Sequence, residues 1–239
     1  MNIAVIFAGG TGQRMNSKTK PKQFLELYGK PILVYTLEQF QRHEEIDGIV
    51  LVSLESWIGY CRDLISKYQL TKVSAIVSGG TTGQESIYCG LKKAKELYAE
   101  DSVVLIHDGV RPLIDEETIS KAIICVKEYG SAITISSAVE TVVVKKEKNK
   151  VEEILDRSSC QHAKAPQCFI LKDILAAHEK AREENKNDFI DSAFLMQNYG
   201  YELYTIDGTT ENIKITTPSD FYMFRAIVDA RENSEIFGF

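Results

Sequence analysis

A glycine-rich loop early in the chain carries the first sign of chemistry. Gly9, Gly10 and Gly12 follow an apolar run, and their small size lets backbone amides approach an anion closely. Four basic side chains follow in the same stretch, namely Arg14, Lys18, Lys20 and Lys22. Cations beside exposed amides suit a polyphosphate, which carries several negative charges. The pattern alone also permits a structural turn followed by a solvated basic loop.

Other phosphate-binding patterns fit this loop less well. The Gly29-Lys30 pair precedes Pro31 rather than the serine or threonine of a P-loop, which excludes that motif. A dinucleotide fingerprint needs a third glycine where Met15 stands, and a helix where Pro21 stops one. A nicotinamide oxidoreductase is therefore a weaker alternative, and a nucleotide-binding protein without turnover is another.

The elements that position this loop follow an alternating order. Short β-branched runs predict strands at residues 2–7, 49–53, 73–78, 103–107 and 132–136. Amphipathic spacing predicts helices at residues 32–41, 57–68, 84–97 and 116–128. This order predicts an α/β fold with a mainly parallel sheet and helices on both of its faces.

Two more polar segments follow predicted strands. Gly80 and Thr81 come after the third strand with Ser86 nearby, and Asp108 and Arg111 come after the fourth. In open α/β sheets the ligand crevice lies beyond the carboxyl ends of the strands, so we expect these segments beside the glycine loop. A turn cap at Asp108 with Arg111 as its ion-pair partner is the structural alternative.

The second half of the chain departs from the alternating order. Residues 140–146 and 151–155 predict two strands of a hairpin joined by a charged turn. An isolated hairpin is only marginally stable in water, so its valines need a packing partner, and a second subunit is one candidate. Further helices are predicted at residues 171–182, at 192–199 and from Pro218, and further strands at residues 201–206 and 212–215.

Composition limits the classes of protein that fit. The chain has 239 residues, 44% hydrophobic and 26% charged, as in ordinary globular proteins. A net charge of -6 argues against a surface that coats nucleic acid, so we expect no nucleic-acid partner. No apolar run approaches the ~18 residues of a transmembrane helix, so we expect no membrane association. Five cysteines without a Cys-x-x-Cys pair fit reduced thiols and a cytoplasmic location.

Motifs along most of the chain resemble the cytidylyltransferases that act on sugar-alcohol phosphates. The matching segments, in family order, are residues 8–15 (AGGTGQRM), 21–24 (PKQF), 79–86, 107–112 (HDGVRP), 141, 156–157, 166–167 and 212–216 (NIKIT). The resemblance covers residues 3–230 and implies a single domain, residues 1–239, with a Rossmann-like three-layer nucleotidyltransferase fold and a mostly parallel sheet. It also implies a protruding β-hairpin arm, about residues 139–157, through which two copies form a homodimer.

The resemblance further implies a reaction and its residues. CMP passes from CTP to a sugar-alcohol phosphate, giving a CDP-polyol and pyrophosphate, with Mg²⁺ or another divalent cation. We expect ribitol 5-phosphate or a related polyol phosphate as acceptor, for cell-wall or capsule polymer synthesis; the alternative is 2-C-methyl-D-erythritol 4-phosphate of the isoprenoid pathway. The implied catalytic residues are Arg14, Lys22 and Lys214. The implied CTP-binding residues are Ala8, Gly9, Gly10, Thr11, Gly12, Gly80, Thr81, Ser86 and Asp108. The implied acceptor-binding residues are Arg111, Thr141 and Arg157, and the implied metal-binding residue is Asp108.

A few positions depart from the family pattern. Residues 82–84 lack the arginine that usually follows the Gly-Gly turn and caps the nucleotide. Ala165 stands where a threonine usually precedes Pro-Gln, and Ile190 stands where a threonine often precedes the acidic residue, here Asp191. The loss of two hydroxyls on the acceptor side indicates a changed polyol.

Overall fold

A computed structural model describes residues 1–10 and 20–237 of the chain. Its strands are β1 (Asn2–Ala8), β2 (Glu26–Leu27), β3 (Lys30–Pro31), β4 (Gly48–Ser53), β5 (Val73–Ser78), β6 (Val103–Asp108), β7 (Ser131–Ser137), β8 (Val143–Lys145), β9 (Val151–Ile154), β10 (Gln161–Ile170) and β11 (Thr205–Asp207). Its helices are α1 (Ile32–Arg42), α2 (Ile58–Lys67), α3 (Gly83–Leu97), α4 (Glu116–Tyr129), α5 (Leu171–Glu183), α6 (Ser192–Asn198) and α7 (Pro218–Phe237). The β-branched runs near the start of the chain thus form strands within a residue or two of the predicted bounds.

A seven-stranded sheet in the order β11-β7-β10-β6-β1-β4-β5 forms the centre of the molecule. β1 pairs in parallel with β4 and β6, β4 with β5, and β7 with β11. β10 is antiparallel to both of its neighbours, β6 and β7. The prediction of a mostly parallel sheet is confirmed.

Two helical layers cover the sheet, as the alternation of side chains along β1 requires. Ile3 and Val5 pack on one face among residues of α3, α5 and α6. Ala4 and Ile6 pack on the other face among residues of α1, α2 and α4. The three-layer arrangement is therefore confirmed. None of the helices in the described part of the chain is long and apolar enough to cross a membrane.

Strand order places a crevice at the carboxyl ends of β1 and β6. From β1 the chain adds β4 and β5 on one side, and then returns to place β6 on the other side of β1. Such a reversal leaves a gap beyond the strand ends because the following loops diverge in opposite directions. The glycine loop follows β1, and Asp108 ends β6, with Phe7 and Asp108 paired in register.

Two predicted strands near the end of the chain need correction. Residues 212–215 form no strand, because their backbone bonds go elsewhere: Arg111 Nη1 donates to the carbonyl of Asn212, and the amides of Ile213 and Ile215 donate to carbonyls of loop residues. In place of the strand predicted at residues 201–206, the sheet contains the shorter strand Thr205–Asp207.

The ten-residue strand β10 was missed by the sequence prediction. Its sequence begins with polar residues and contains Pro166, which cannot donate to a ladder and so argues against a central strand. The structure accommodates Pro166 at an irregularity, because the register to β7 shifts between Ala163 and Gln167.

A two-stranded hairpin, β8 with β9, stands apart from the central sheet. The predicted hairpin is present, although its strands are shorter than expected. Val139 and Ile154 expose 71% and 65% of their surface, and Val143 and Val151 are half exposed. We call residues 139–157 the arm, and its exposed aliphatic side chains need a partner that this single chain does not supply among its described residues.

Candidate active site

A cavity of about 330 Å³, here called the first cavity, lies at the carboxyl ends of β1 and β6. It collects every described residue that the family resemblance assigned to CTP binding, together with both assigned catalytic lysines. These lining residues are Ala8, Gly9, Gly10, Lys22, Gly80, Thr81, Ser86, Asp108 and Lys214. Thr11, Gly12 and Arg14 lie outside the described residues. Backbone and side chains from distant parts of the chain therefore meet around one cavity.

Gln23 holds the glycine loop in place. Its side chain is buried, and its Nε2 donates to the carbonyl oxygens of Ala8 at 2.6 Å and Gly10 at 3.1 Å. The adjacent Phe24 is fully buried and stacks on Trp57 with 4.6 Å between ring centroids. These contacts fix the short 3-10 turn Lys22–Phe24, which places Lys22 on the wall of the first cavity. The sequence motif contained Gln23, but its positioning role was not predicted.

The turn after β5 forms the opposite wall of the first cavity. Ser86 Oγ lies 3.2 Å from the amide nitrogen of Gly80 and donates to the carbonyl of Thr82 at 2.9 Å. A Cβ at Gly80 would lie 2.5 Å from Cβ of Glu85, so a larger residue cannot occupy this turn without a shift. Thr82 caps α3 by accepting from the amide of Glu85. The hydroxyl of Ser86 thus shapes the cavity wall through contacts within the chain.

Asp108 is the electrostatic centre of the site. Its Oδ1 lies 2.6 Å from Lys214 Nζ, and its Oδ2 accepts from Arg111 Nε at 2.8 Å. Burial alone would raise the pKa of Asp108, but the charges of Lys214 and Arg111, and their hydrogen bonds, lower it to about 2. Asp108 therefore stays ionised at neutral pH and fixes both cations beside it.

A larger cavity of about 570 Å³, here called the second cavity, adjoins the first. Asp108 and Lys214 line both cavities, whereas Lys22 lines the first and Arg111 lines the second. The ion pair of Asp108 with Lys214 thus stands where the two cavities meet. Among the described residues, Lys22 is thus specific to the first cavity, Arg111 and Lys164 are specific to the second, and Lys214 is shared.

Side chains distant in sequence build the walls of the second cavity. Gln84 Nε2 donates to the carbonyl of Lys186, and Gln84 Oε1 accepts from the amide of Phe189, which fixes the segment before α6. Gln167 Nε2 donates to Asp191, the residue that caps α6. No roles were predicted for these glutamines. Gln84 and Gln167 are 8% and 7% exposed, so their polarity inside the fold is explained by these contacts.

The segment that carries Lys214 is held by side chains rather than by the sheet. Lys164 Nζ donates to the carbonyls of Thr209 and Thr210. Asn212 Nδ2 donates to the carbonyl of Ala165 at 2.7 Å. Lys164 also lines the second cavity, where burial lowers its pKa and the charge of Arg111 lowers it further. Lys164 was not predicted, because it stands at the irregular part of β10, a strand that the sequence prediction missed.

Thr141 and Arg157 lie at the base of the arm and line neither cavity of their own chain. Both residues are exposed. Arg157 Nη1 donates to the carbonyl of Val139, and Asp156 caps the turn that follows by accepting from Ser158. The structure brings neither side chain to Asp108, unlike the other described residues predicted at the site.

The donor set tests whether a resident metal fits. Within residues 1–10 and 20–237, no group of three histidine, cysteine or acidic side chains is placed to hold an ion. Asp108 is the acidic residue among those lining the first cavity, and two cations contact its oxygens. One carboxylate does not make a protein-held metal centre. It does suit a Mg²⁺ ion that keeps most of its ligands from phosphates and water.

These features define a class of enzyme. A three-layer α/β fold with a glycine loop, flanking lysines and a buried aspartate at the strand reversal is the arrangement of an α/β nucleotidyltransferase. The family model of IspD, 2-C-methyl-D-erythritol 4-phosphate cytidylyltransferase, matches residues 2–230. The chain belongs to this family.

Individual relatives carry two different names. A ribitol-5-phosphate cytidylyltransferase of Streptococcus agalactiae serotype III is 54% identical over 238 residues, which covers 100% of each chain. A 2-C-methyl-D-erythritol 4-phosphate cytidylyltransferase of Clostridium botulinum is 42% identical over 228 residues, 95% of this chain and 97% of its own. The crystal structure of 4-diphosphocytidyl-2C-methyl-D-erythritol synthase from Anaerococcus prevotii superposes with a TM-score of 0.82 at 29% identity, covering 95% of this chain and 96% of that one.

Proposed function

We propose that this protein transfers CMP from CTP to ribitol 5-phosphate, releasing pyrophosphate and forming CDP-ribitol. The observation that carries the proposal is the meeting of two cavities at Asp108 and Lys214, with Lys22 on one side and Arg111 on the other. A reaction between two polyanions needs two adjoining sites that share a positive charge. The first cavity takes CTP and the second takes the acceptor.

The proposed chemistry needs no side-chain nucleophile. An oxygen of the acceptor phosphate attacks the α-phosphorus of CTP, a new P–O bond forms, and the bond to the β-phosphate breaks as pyrophosphate leaves. The attacking phosphate is largely ionised at neutral pH, because its second pKa is about 6. Arg14 and Lys22 hold the triphosphate, and Lys214 holds the α-phosphate from the other side. Alignment of two reactants removes ~7–11 kcal/mol of barrier, and fixed cations stabilise the developing charge.

The choice of ribitol 5-phosphate rests on similarity and on the acceptor side of the site. The Streptococcus agalactiae relative named for ribitol 5-phosphate is 54% identical, against 42% for the Clostridium botulinum relative named for 2-C-methyl-D-erythritol 4-phosphate. Ala165 and Ile190 both line the second cavity. They remove hydroxyls that the family often places there, which supports a different polyol.

A divalent cation completes the proposal for the first cavity. Asp108 would be the protein carboxylate that holds a Mg²⁺ ion bound together with CTP. Such an ion would supply positive charge that neutralises the phosphates and favours departure of pyrophosphate. Lys214 and Arg111 keep Asp108 ionised, which a metal ligand requires.

The arm supports the proposal of a homodimer with shared sites. Its exposed aliphatic side chains need cover, and Thr141 and Arg157 line neither cavity of their own chain. Delivered by a second copy, Thr141 and Arg157 bind the acceptor in the second cavity. A mixture of Lys22→Ala and Arg157→Ala proteins then regains about one quarter of wild-type activity, because half the dimers are mixed and each mixed dimer has one intact site. Inactive mixtures with verified mixed dimers would contradict the shared site.

We also propose that the protein is a single catalytic domain and that it works in the cytoplasm. A single central sheet takes strands from β1 through β11, which supports one catalytic domain over residues 1–239. All five cysteines are free thiols, which supports work in the reducing cytoplasm.

The decisive experiment is a pyrophosphate-release assay with CTP, Mg²⁺ and a panel of polyol phosphates. We expect ribitol 5-phosphate to give the highest kcat/KM. Turnover with 2-C-methyl-D-erythritol 4-phosphate and none with ribitol 5-phosphate would contradict the proposed acceptor. CTP binding without pyrophosphate release from any acceptor would contradict catalysis, and binding of NAD instead of CTP would contradict the enzyme class.

A further inference from the structure

The second cavity contains a histidine whose polar atoms are unused. His178, on α5, is 1% exposed and lines the second cavity. Among the described residues, neither Nδ1 nor Nε2 of His178 has a hydrogen-bond partner. Buried polar groups are nearly always paired, and leaving them unpaired costs stability. An imidazole in this position therefore points to a partner that enters through the cavity.

Packing fixes the ring of His178. It stacks on Tyr88 with 6.1 Å between ring centroids and 27° between planes. The guanidinium of Arg182 covers Tyr88, 4.5 Å from its ring centroid. Ile174 and Ala181 flank His178 on the buried face of α5. A ring held in this way presents its nitrogens in a fixed direction, as a specificity group must.

The charge state of His178 matches a hydroxyl better than an anion. Burial, together with the positive charge of Arg182, lowers the pKa of His178 to about 4. At neutral pH the imidazole is uncharged and carries one donor and one acceptor nitrogen. A hydroxyl has the same pair of functions. The cations that suit a phosphate, Arg111 and Lys214, line the same cavity beside Asp108.

Resting on the proposed function, we infer that His178 is a specificity-determining residue that hydrogen-bonds an acceptor hydroxyl remote from the acceptor phosphate. The phosphate lies near Arg111 and Lys214, and the polyol chain extends towards His178. The cavity volume of about 570 Å³ falls within the usual range for small-molecule sites. A site built to bond a hydroxyl rejects an analogue that lacks it, since the buried group then loses its partner.

The test compares His178→Phe with wild type on ribitol 5-phosphate and on its 1-deoxy and 2-deoxy analogues. His178→Phe keeps an aromatic ring against Tyr88 and removes both nitrogens. We expect the KM for ribitol 5-phosphate to rise about 10-fold, the value of one hydrogen bond, while the KM for CTP stays unchanged. In wild type one deoxy analogue should lose about 10-fold in kcat/KM, and in His178→Phe that discrimination should disappear. Equal discrimination in both proteins would overturn the inference.

Control variants separate contact from structural damage. His178→Gln, which restores a donor and an acceptor, should recover part of the affinity for ribitol 5-phosphate. His43→Phe changes another buried histidine, which contacts Glu116 and Ser120 and lines neither cavity, and it should leave the KM for the acceptor unchanged. An equal rise in acceptor KM for His43→Phe and His178→Phe would overturn the inference.

A measurement on the wild-type protein covers the case in which His178→Phe fails to fold. The chain has four histidines, so its imidazole ¹⁵N signals are few. The signals of His178 are identified as those that disappear in His178→Gln. Ribitol 5-phosphate should shift these signals and inorganic phosphate should not. No shift, or the same shift with phosphate, would overturn the inference. Turnover of ribitol 5-phosphate by the wild-type protein tests the proposed function independently of His178. If another polyol phosphate proves to be the acceptor, His178→Phe and wild type are compared on the deoxy analogues of that acceptor.

Discussion

The two cavities differ in what lines them: backbone turns in the first and side chains in the second. Backbone turns near strand ends, with Gly9, Gly10 and Gly80, form much of the first cavity. The second cavity is formed by side chains of helices, by the irregular part of β10 and by the segment before α6, among them Gln84, Lys164 and His178. Amides that bind phosphate need only small residues and a tight turn, whereas a polyol is recognised by individual hydrogen bonds.

This difference matches the two substrates of the proposed reaction. A triphosphate is the same ligand in every cytidylyltransferase, so a fixed backbone cradle serves it. An acceptor differs in the number and placement of hydroxyls, and single side chains such as Ala165 or His178 can change around a constant frame. Variants in the first cavity should therefore change the kinetic constants for CTP, and variants in the second cavity those for the acceptor.

The largest effect should come from the cation that both cavities share. Lys214→Met should lower kcat/KM for CTP and for ribitol 5-phosphate alike, by about 10²–10³, as expected for loss of a fixed charge in the transition state. Steady-state kinetics with each substrate varied in turn measures this. Lys121→Met is the matched control, because Lys121 is 48% exposed and paired with Glu117, compared with 41% for Lys214 paired with Asp108. A defect confined to one substrate would mean that Lys214 serves one cavity.

A smaller and one-sided effect is expected for the cation of the first cavity. Lys22→Ala should reduce kcat/KM for CTP by about 10² and leave the KM for the acceptor unchanged, since Lys22 lines the first cavity and not the second. Circular dichroism should show an intact fold. Wild-type kinetics in this variant would remove Lys22 from the mechanism.

The ion pairs of Asp108, at the boundary between the cavities, should also stabilise the folded protein in a pH-dependent way. The pKa of Asp108 is about 2 in the folded protein, against an ordinary value of 3.8, so the unfolded chain binds its proton more readily. The resulting stabilisation, about 2 kcal/mol, is present above pH ~4 and is lost as pH falls towards 2. Urea unfolding of wild type and Asp108→Asn across this window measures it. The variant should lose that part of the pH dependence, and an unchanged slope would contradict the ion-pair geometry.

The most balanced test uses two buried glutamines, one for each cavity. Gln23→Met frees the glycine loop and should raise the KM for CTP about 10-fold, whereas Gln84→Met frees the segment near Phe189 and should raise the KM for the acceptor by a similar factor. Each variant is the control for the other. Crossed effects, with Gln84→Met acting on CTP, would mean that the cavities do not correspond to separate substrates.

The fold was predictable where a local pattern decides it. Short β-branched runs such as Val73–Ser78 favour a strand, and the structure contains that strand with the predicted bounds. β10 was missed because Pro166 and a polar start argue against a strand, and the competing long-range pairing with β6 and β7 is invisible in the local sequence. Residues 212–215 alternate like a strand, but their backbone partners are the side chain of Arg111 and carbonyls of loop residues rather than a neighbouring strand.

The site residues, like the strands, were predictable where a local pattern places them and not where long-range packing does. Most of the glycine and polar residues of the first cavity were predictable because they follow strands, and parallel strands bring their ends together. Lys214 was expected from the family resemblance alone, and no role was predicted for Gln23. Gln84, Lys164 and His178 were not predicted as site residues, because their approach depends on how α3, α5 and β10 pack. A polar residue at helical spacing among Ile174 and Ala181 was the available signal for His178.

The reversed direction of β10 decides where the arm leaves the body of the protein. β7 ends at Ser137 on the same rim as Asp108, and β10 begins opposite it, with Gln161 in register with Ser137. An insertion at this point projects from the catalytic rim without interrupting any ladder of the central sheet. The length and the side chains of the arm can therefore change during evolution while the central sheet keeps its architecture.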